Sequence, residues 1–348
     1  MNEKPTSRKK KHFWTAIFVL INIAVIAATA YNEFSGSGAR SPMPVFTKSA
    51  FLFLGCTALC LVVLMIAESL KYRLMMKSRG EKVSFRVAFE TAALGKYYDC
   101  ITPSGAGGQP FQILWLHRHG YSDGAASAMT ITGYITMQAG FILLALGTFI
   151  LWRSVELEAI RYTAYFGLVL FSVIPILLIL FSIRPGLVTK MVTGAIRLCG
   201  KLHLVKNPEE ATERVMELLE SNHKSFSIIA KDKKTLTGLM ILSLIYRVAL
   251  CSMPFFVMKM FGAAVSYPHL FATTIYIYAS ICLVPTPGNA GAAEGAFYLA
   301  FSAMGSEGVF WAMLIWRIFS HYSFIIIGAA VYGINALEKR RKRGGEAA

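Results

Sequence analysis

Long apolar stretches recur along the chain, and they constrain its fold more than any other feature. They cover residues 13–31, 48–70, 124–151, 159–183, 236–258 and 308–335. A helix needs about 20 apolar residues to cross the roughly 30 Å hydrocarbon core of a membrane. Only 16% of the residues are charged, against about a quarter in soluble domains. The sequence therefore predicts an all-α integral membrane protein with about six full spans.

Two further apolar segments, 84–119 and 266–304, contain related Gly- and Pro-rich motifs. The first is TPSGAGGQPF, which begins at Thr102, and the second is TPGNAGAAEGAF, which begins at Thr286. Each starts with Thr-Pro and continues, two residues later, with Ala-Gly. Proline ends an incoming helix and glycine permits tight turns. Each segment is therefore predicted to form a broken-helix or re-entrant hairpin.

The backbone positions predicted to form these breaks are Pro103, Gly107, Gly108, Pro110, Pro285, Pro287, Gly288, Asn289 and Gly291. Matched breaks in the two halves of a membrane protein are a sequence pointer to a transporter site. Unpaired backbone groups are costly in hydrocarbon, so both breaks must be enclosed by protein or by a watery cavity. Close packing of helices by small residues is the simpler explanation for either motif alone.

The basic residues are distributed unevenly. The chain has a formal net charge of +16, and most Lys and Arg lie in 1–12, 71–86, 184–234 and 339–343. Alternating spans place all four regions on one side, which the positive-inside rule assigns to the cytoplasm. We therefore interpret the basic clusters as setting the membrane topology and facing lipid headgroups. Direct nucleic acid binding is not expected. An odd number of crossings separates the two hairpins, so they form an inverted repeat.

This topology predicts a single polytopic membrane domain over 13–335. The first hairpin covers 84–119, a cytoplasmic connector covers 185–235, and the second hairpin covers 266–304. Basic cytoplasmic tails are predicted at 1–12 and 336–348.

Ionisable residues at depth are expected to face the interior, because a lone charge at the bilayer centre costs at least about 2.5–3.5 kcal/mol. Arg247 and Arg317 are predicted near the midplane, and Glu294 follows the second break. Arg317 and His321 are four residues apart and share a helix face. These four residues and Gln109 are the candidate substrate-binding or translocation residues. A purely structural ion pair between Glu294 and an arginine is the alternative.

Other chemistry finds little support in the sequence. The chain has no GxSxG, GxxxxGK[ST] or GxGxxG motif, no CxxC pair and no HExxH, which are the usual signs of a nucleophilic serine, a nucleotide cradle or a metal site. We therefore expect no catalytic residues, no cofactor and no metal.

The motif regions TPSGAGGQPFQILWL and PTPGNAGAAEGAFYLAF resemble the two signature regions of the lysylphosphatidylglycerol synthase transmembrane-region family. This is the flippase-like part of bacterial multiple peptide resistance factors. The resemblance covers about 13–335. Pro285, Pro287, Gly288, Gly291 and Glu294 fit the second motif, and Asn289 stands where a glycine is usual. Pro103, Gly107 and Gly108 fit the first, with Gln109 at a polar position.

The resemblance implies a flippase-like transporter in the bacterial cell membrane. Its cargo would be a phospholipid, for example aminoacylated lysylphosphatidylglycerol, and transport would contribute to cationic peptide resistance. The family's C-terminal transferase domain is not expected in this chain. Two alternatives remain: the membrane part of a phosphatidylglycerol lysyltransferase system with a separate soluble synthase, or a non-transporting lipid-binding scaffold. The oligomeric state stays open, a homo-oligomer included.

Overall fold

The computed structural model describes residues 47–80, 84–102, 105, 107–152, 158–183, 231–282, 284, 286, 288–304 and 308–345, with isolated positions between 186 and 229. The predicted first span at 13–31, the tail at 1–12 and most of the connector at 185–235 lie outside the described residues. So do Pro103, Pro285 and Pro287. Within the described ranges all regular structure is helical.

The helices are α1 (Lys48–Ser78), α2 (Phe85–Ile101), α3 (Gly108–Arg118), α4 (Asp123–Leu151), α5 (Glu158–Ile183), α6 (Lys233–Met260), α7 (Tyr267–Ile281), α8 (Ala292–Ser302), α9 (Val309–Arg317) and α10 (Ser323–Gly345). A π-helical turn, Ile318–Tyr322, joins α9 to α10. Four described segments are long and apolar enough to cross a membrane: α1, α4, α6 and Val309–Glu338.

Polar side chains at the helix starts explain several of these boundaries. Thr47 caps α1 by accepting a hydrogen bond from the amide of Ala50, and Ser122 caps α4 in the same way through Ala125. Asp232 accepts the amide of Thr235 at 3.1 Å and begins α6. Each cap satisfies a backbone donor that the first helical turn leaves without a partner.

The distribution of polarity is the reverse of that in a soluble protein. Large apolar side chains are exposed on α1, α4, α5 and α10, among them Leu52, Leu143, Phe166 and Ile326. Charged side chains, including Glu68, Lys71, Glu294 and Arg317, are buried. In hydrocarbon this arrangement is favourable, because apolar groups face lipid and charges face one another. The predicted fold class, an all-α integral membrane protein, is confirmed.

Each motif segment folds as two helices joined by a short non-helical connection. In the first, α2 and α3 run antiparallel, since Gln112 donates to the carbonyl of Thr91 and the ring of Phe111 stacks on that of Tyr98. In the second, α7 and α8 pack against each other on either side of residues 282–291.

Two helices extend beyond the apolar stretches recognised in the sequence. The helix predicted to end at residue 70 continues to Ser78, which places Lys71 inside the bundle. The segment 336–348, predicted as a separate tail, continues α10 as far as Gly345. Glu, Lys, Arg and Leu are strong helix formers, so the sequence after Ile334 favours continuing the helix.

Candidate functional site

The second break lies against the end of the helix that leads into the first break. Gly288, in the second break, lies against the end of α2: a Cβ atom at this position would be 3.0 Å from the carbonyl oxygen of Cys100. The same atom would overlap the ring of His321. The Cys100 thiol in turn donates to the carbonyl of His321 at 3.7 Å. The end of α2, the second break and the π-helical turn therefore form one junction.

The second break contains a run of unusual backbone conformations. Gly288, Asn289 and Gly291 all have positive φ, at 57°, 56° and 88°. Asparagine tolerates this region better than most residues other than glycine. The amide of the Asn289 side chain also donates to the carbonyl of Ile281 at 2.6 Å. Asn289 therefore ties the break to the end of α7, which explains how it substitutes for the glycine usual in the motif.

Glu294 is the centre of the polar contacts at the second break. One carboxylate oxygen accepts the Nε–H of Arg317 at 2.5 Å, and the other accepts the backbone amide of Gly291 at 2.7 Å. The guanidinium of Arg317 also donates to the carbonyl of Gly288 at 3.3 Å. Glu294 is 1% exposed and Arg317 is 5% exposed. Glu294 therefore pairs with Arg317, one of the two arginines considered for it from the sequence.

The first break has a similar but looser arrangement. The carboxylate of Asp99 accepts the amide of Gly108, the first residue of α3, at 3.1 Å. Its other oxygen lies 3.8 Å from the ammonium group of Lys96. Thr102 accepts the amide of Gly107 at 2.9 Å. Each break thus presents a carboxylate to a backbone amide and to a cation, and the side chains of Lys96 and Asp99 remain about one fifth and one quarter exposed.

A third polar group, formed by α1, α4 and α6, includes the predicted Arg247, but its other members were not recognised in the sequence. Lys71, 0% exposed, donates to the carboxylate of Glu68 at 3.3 Å and to the carbonyl of Gly133 at 3.0 Å. Arg247 donates to the side chain of Gln138 at 2.9 Å. The signal was the spacing of Glu68 and Lys71, three residues apart, which allows pairing on one helix face.

The structure therefore gathers some of the predicted site residues and separates others. Glu294, Arg317, His321, Gly288 and Gly291 belong to one cluster at the second break. Arg247 instead contacts Gln138 and the ring of Phe141. Gln109 and Pro110 lie in the first turn of α3, half-buried and exposed respectively.

Among the described residues, no group of three His, Cys, Asp or Glu side chains is placed to hold a metal ion. At each break a carboxylate of the chain itself, Glu294 or Asp99, already contacts the cation and the helix-start amide, the kinds of group that favour an anion inside a membrane.

Comparisons with known proteins agree with this architecture. The family model described as the lysylphosphatidylglycerol synthase TM region matches residues 14–328. A UPF0104 membrane protein of Archaeoglobus fulgidus is 20% identical over 315 residues, which cover 90% of this chain and 94% of the relative.

Proposed function

Because the chain belongs to the lysylphosphatidylglycerol synthase transmembrane-region family, we propose that it is a flippase-like lipid transporter. Its cargo is a phospholipid that moves between the two leaflets of a bacterial cell membrane. An aminoacylated lipid such as lysylphosphatidylglycerol is the candidate cargo, and its movement would contribute to resistance to cationic peptides.

The observation that carries this proposal is the contact between the second break and the end of α2, the helix that leads into the first break. Gly288 lies against the carbonyl of Cys100 in the last turn of α2 and against the ring of His321, so the non-helical backbone of the second break is enclosed by the first hairpin and the π-helical turn. Such backbone is tolerated at membrane depth only where protein or a polar cavity surrounds it. Broken helices that meet in this way are typical of transporter sites.

The two breaks differ in how firmly their charges are held, and this suggests different roles. Both oxygens of Glu294 are occupied, by Arg317 and by Gly291, and the pair is almost fully buried. Lys96 and Asp99 are farther apart and partly exposed. We assign Glu294 and Arg317 to holding the second break in shape. Lys96, together with the half-buried Arg247, is the better candidate for contacting a lipid phosphate.

A second candidate function follows from the family description, which names a synthase. In that case the chain would be the membrane part of a lysyl-transfer system and would depend on a soluble partner enzyme. Incubation of the purified protein with lysyl-tRNA and phosphatidylglycerol would then produce lysylphosphatidylglycerol only when the partner is added.

Lipid translocation in reconstituted vesicles tests the proposal. Vesicles with headgroup-labelled phosphatidylglycerol, phosphatidylethanolamine or lysylphosphatidylglycerol would be treated with a membrane-impermeant quencher. The proposal predicts that the protein speeds the loss of protected label for at least one headgroup, relative to protein-free vesicles. Equal rates with and without protein, for all three lipids, would contradict it.

A further inference from the structure

A cavity of about 140 Å³ lies between α2, α3 and α10, next to the first break. Its walls are mostly aromatic and are formed by Tyr98, Phe111, Trp115 and Tyr332, with Leu94, Leu114 and Arg118 completing the lining. The size is close to that of the ~150 Å³ engineered cavities that accommodate benzene. It can therefore hold a group of phosphodiester size, but the acyl chains of a phospholipid would have to lie outside.

The cavity runs from the lipid-facing surface into the bundle. Leu114 at its rim is 42% exposed, whereas Leu94 on the opposite side is 1% exposed. Its inner wall includes Tyr98, the residue that precedes Asp99 at the first break. A group inside the cavity would therefore lie next to the break, while apolar chains attached to it could remain in the membrane.

The charge of the cavity favours an anion. Arg118 is the one charged residue in its lining, and no carboxylate of the described ranges lies within 4.0 Å of its guanidinium. The nearest acidic residue in sequence, Asp123, is 2.7 Å from His117 instead. A guanidinium group is well suited to phosphate because its planar N–H groups can make two parallel hydrogen bonds.

The tyrosines add a second donor. The hydroxyl oxygens of Tyr98 and Tyr332 lie 2.5 Å apart and share one hydrogen bond. Because each hydroxyl carries one hydrogen, one O–H of the pair remains available to a ligand. Trp115 also lines the cavity, and its buried indole N–H has no acceptor among the described residues.

We propose that this cavity is a loading site for the phosphodiester headgroup of a phospholipid, with Arg118 as the phosphate contact. The lipid comes from the leaflet at the end of the bundle where α3 ends, which positive-inside counting assigns to the cytoplasm. The identification of the ligand as a lipid rests on the proposed transport function.

Binding to the purified full-length chain in nonionic detergent tests the site. The probes are dihexanoyl phosphatidylglycerol, dihexanoylglycerol, which lacks the phosphate, and glycerol 3-phosphate, which lacks the acyl chains. We expect Arg118→Gln to weaken binding of the phospholipid about tenfold or more, because a charge-assisted contact is lost. The control is Arg73→Gln, which removes an exposed arginine of α1 outside the cavity and should change binding less than about twofold.

The two smaller probes separate a lipid site from a general anion site. We expect both to bind more weakly than the phospholipid. Glycerol 3-phosphate binding as tightly as the phospholipid would overturn the assignment to a lipid. Equal phospholipid binding by Arg118→Gln and the native protein would overturn the site itself.

Binding and translocation measurements test the loading site and the transport function separately. Phospholipid binding that depends on Arg118, without any translocation in vesicles, would support the site and contradict the transport function. Translocation at the native rate by Arg118→Gln, together with unchanged binding, would contradict the site and leave the transport function intact.

Discussion

Gly288 occupies a backbone position that no other residue fits without strain. Its φ is +57°, and a Cβ atom would overlap the His321 ring and approach the Cys100 carbonyl to 3.0 Å. Positive φ and overpacking each cost about 1–3 kcal/mol. The glycine is therefore required by both the conformation and the contact between the two hairpins.

Gly288→Ala should lower the free energy of unfolding by about 2 kcal/mol or more. Denaturant unfolding of the purified protein in detergent micelles would measure this. The matched control is Gly55→Ala on α1, where φ is not positive and no atom lies within 4 Å of the new methyl group. If Gly288→Ala changed the free energy of unfolding no more than Gly55→Ala does, the Gly288 contact would not be needed for stability.

The Glu294–Arg317 pair provides a second test. Glu294→Gln or Arg317→Gln alone should destabilise the protein by about 3–5 kcal/mol, because each leaves a buried charge without its partner. The double variant should recover part of the loss. The exposed pair Glu158–Arg161 is the control, and its disruption should cost at most about 1 kcal/mol.

Unfolding in detergent and lipid translocation should be measured on the same variants. If Glu294 and Arg317 hold the break in shape, stability and transport should fall together and recover together in the double variant. Normal stability with lost transport and no recovery would instead place the pair in direct contact with the lipid.

The helices pack closely where glycine removes the side chain. Gly167 of α5 faces the carbonyl of Ala279 in α7, and a Cβ atom would overlap that oxygen. The thiol of Cys282 also donates to the carbonyl of Gly167 at 3.5 Å. A side chain at residue 167 must therefore move the two helices apart.

Gly167→Ala should lower the free energy of unfolding by about 1–3 kcal/mol through overpacking. Gly147→Ala on α4, with no atom within 4 Å of the new methyl group, is the control. Thermal unfolding of both variants in the same detergent would measure the difference. A difference smaller than the experimental error would show that α5 and α7 can separate at no cost.

The hairpins were predictable from sequence because Gly and Pro interrupt apolar segments in the same order, and those residues have strong local effects. The contact between the second break and the end of α2 was not predictable, because it joins residues far apart in the chain. Lys71 was assigned to a basic region at the membrane surface, because its contact with another helix cannot be read from the sequence either. Its partners include the carbonyl of Gly133, and no local pattern in the sequence indicates a backbone acceptor on another helix.

The candidate site was predictable in part. An ion pair for Glu294 follows from the cost of isolated charge in a membrane, but sequence alone could not choose between Arg247 and Arg317. The choice depends on packing, since Arg247 lies beside Gln138 and Phe141 and Arg317 lies beside the second break. The aromatic cavity next to Arg118 needs three helices to form, so no single segment indicates it.

Considered together, the spans and the two hairpins predict that the hairpins enter the membrane from opposite sides. A single cysteine at position 84, before α2, should react with a membrane-impermeant thiol reagent only after the cells are opened. A cysteine at position 264, before α7, should react in intact cells. Both positions are exposed. Reaction of both cysteines from the same side would contradict the inverted repeat.

Transport as proposed requires a phospholipid headgroup to pass through the bundle interior, beside the second break and the end of α2. A phospholipid with a photoactivatable group on its headgroup can locate that path in reconstituted vesicles, with the crosslinked peptides identified by mass spectrometry. We expect crosslinks to the start of α3, around Gln109, and to the second break, around Asn289. Crosslinks confined to the ends of the helices, with none at either break, would contradict this path for the lipid headgroup.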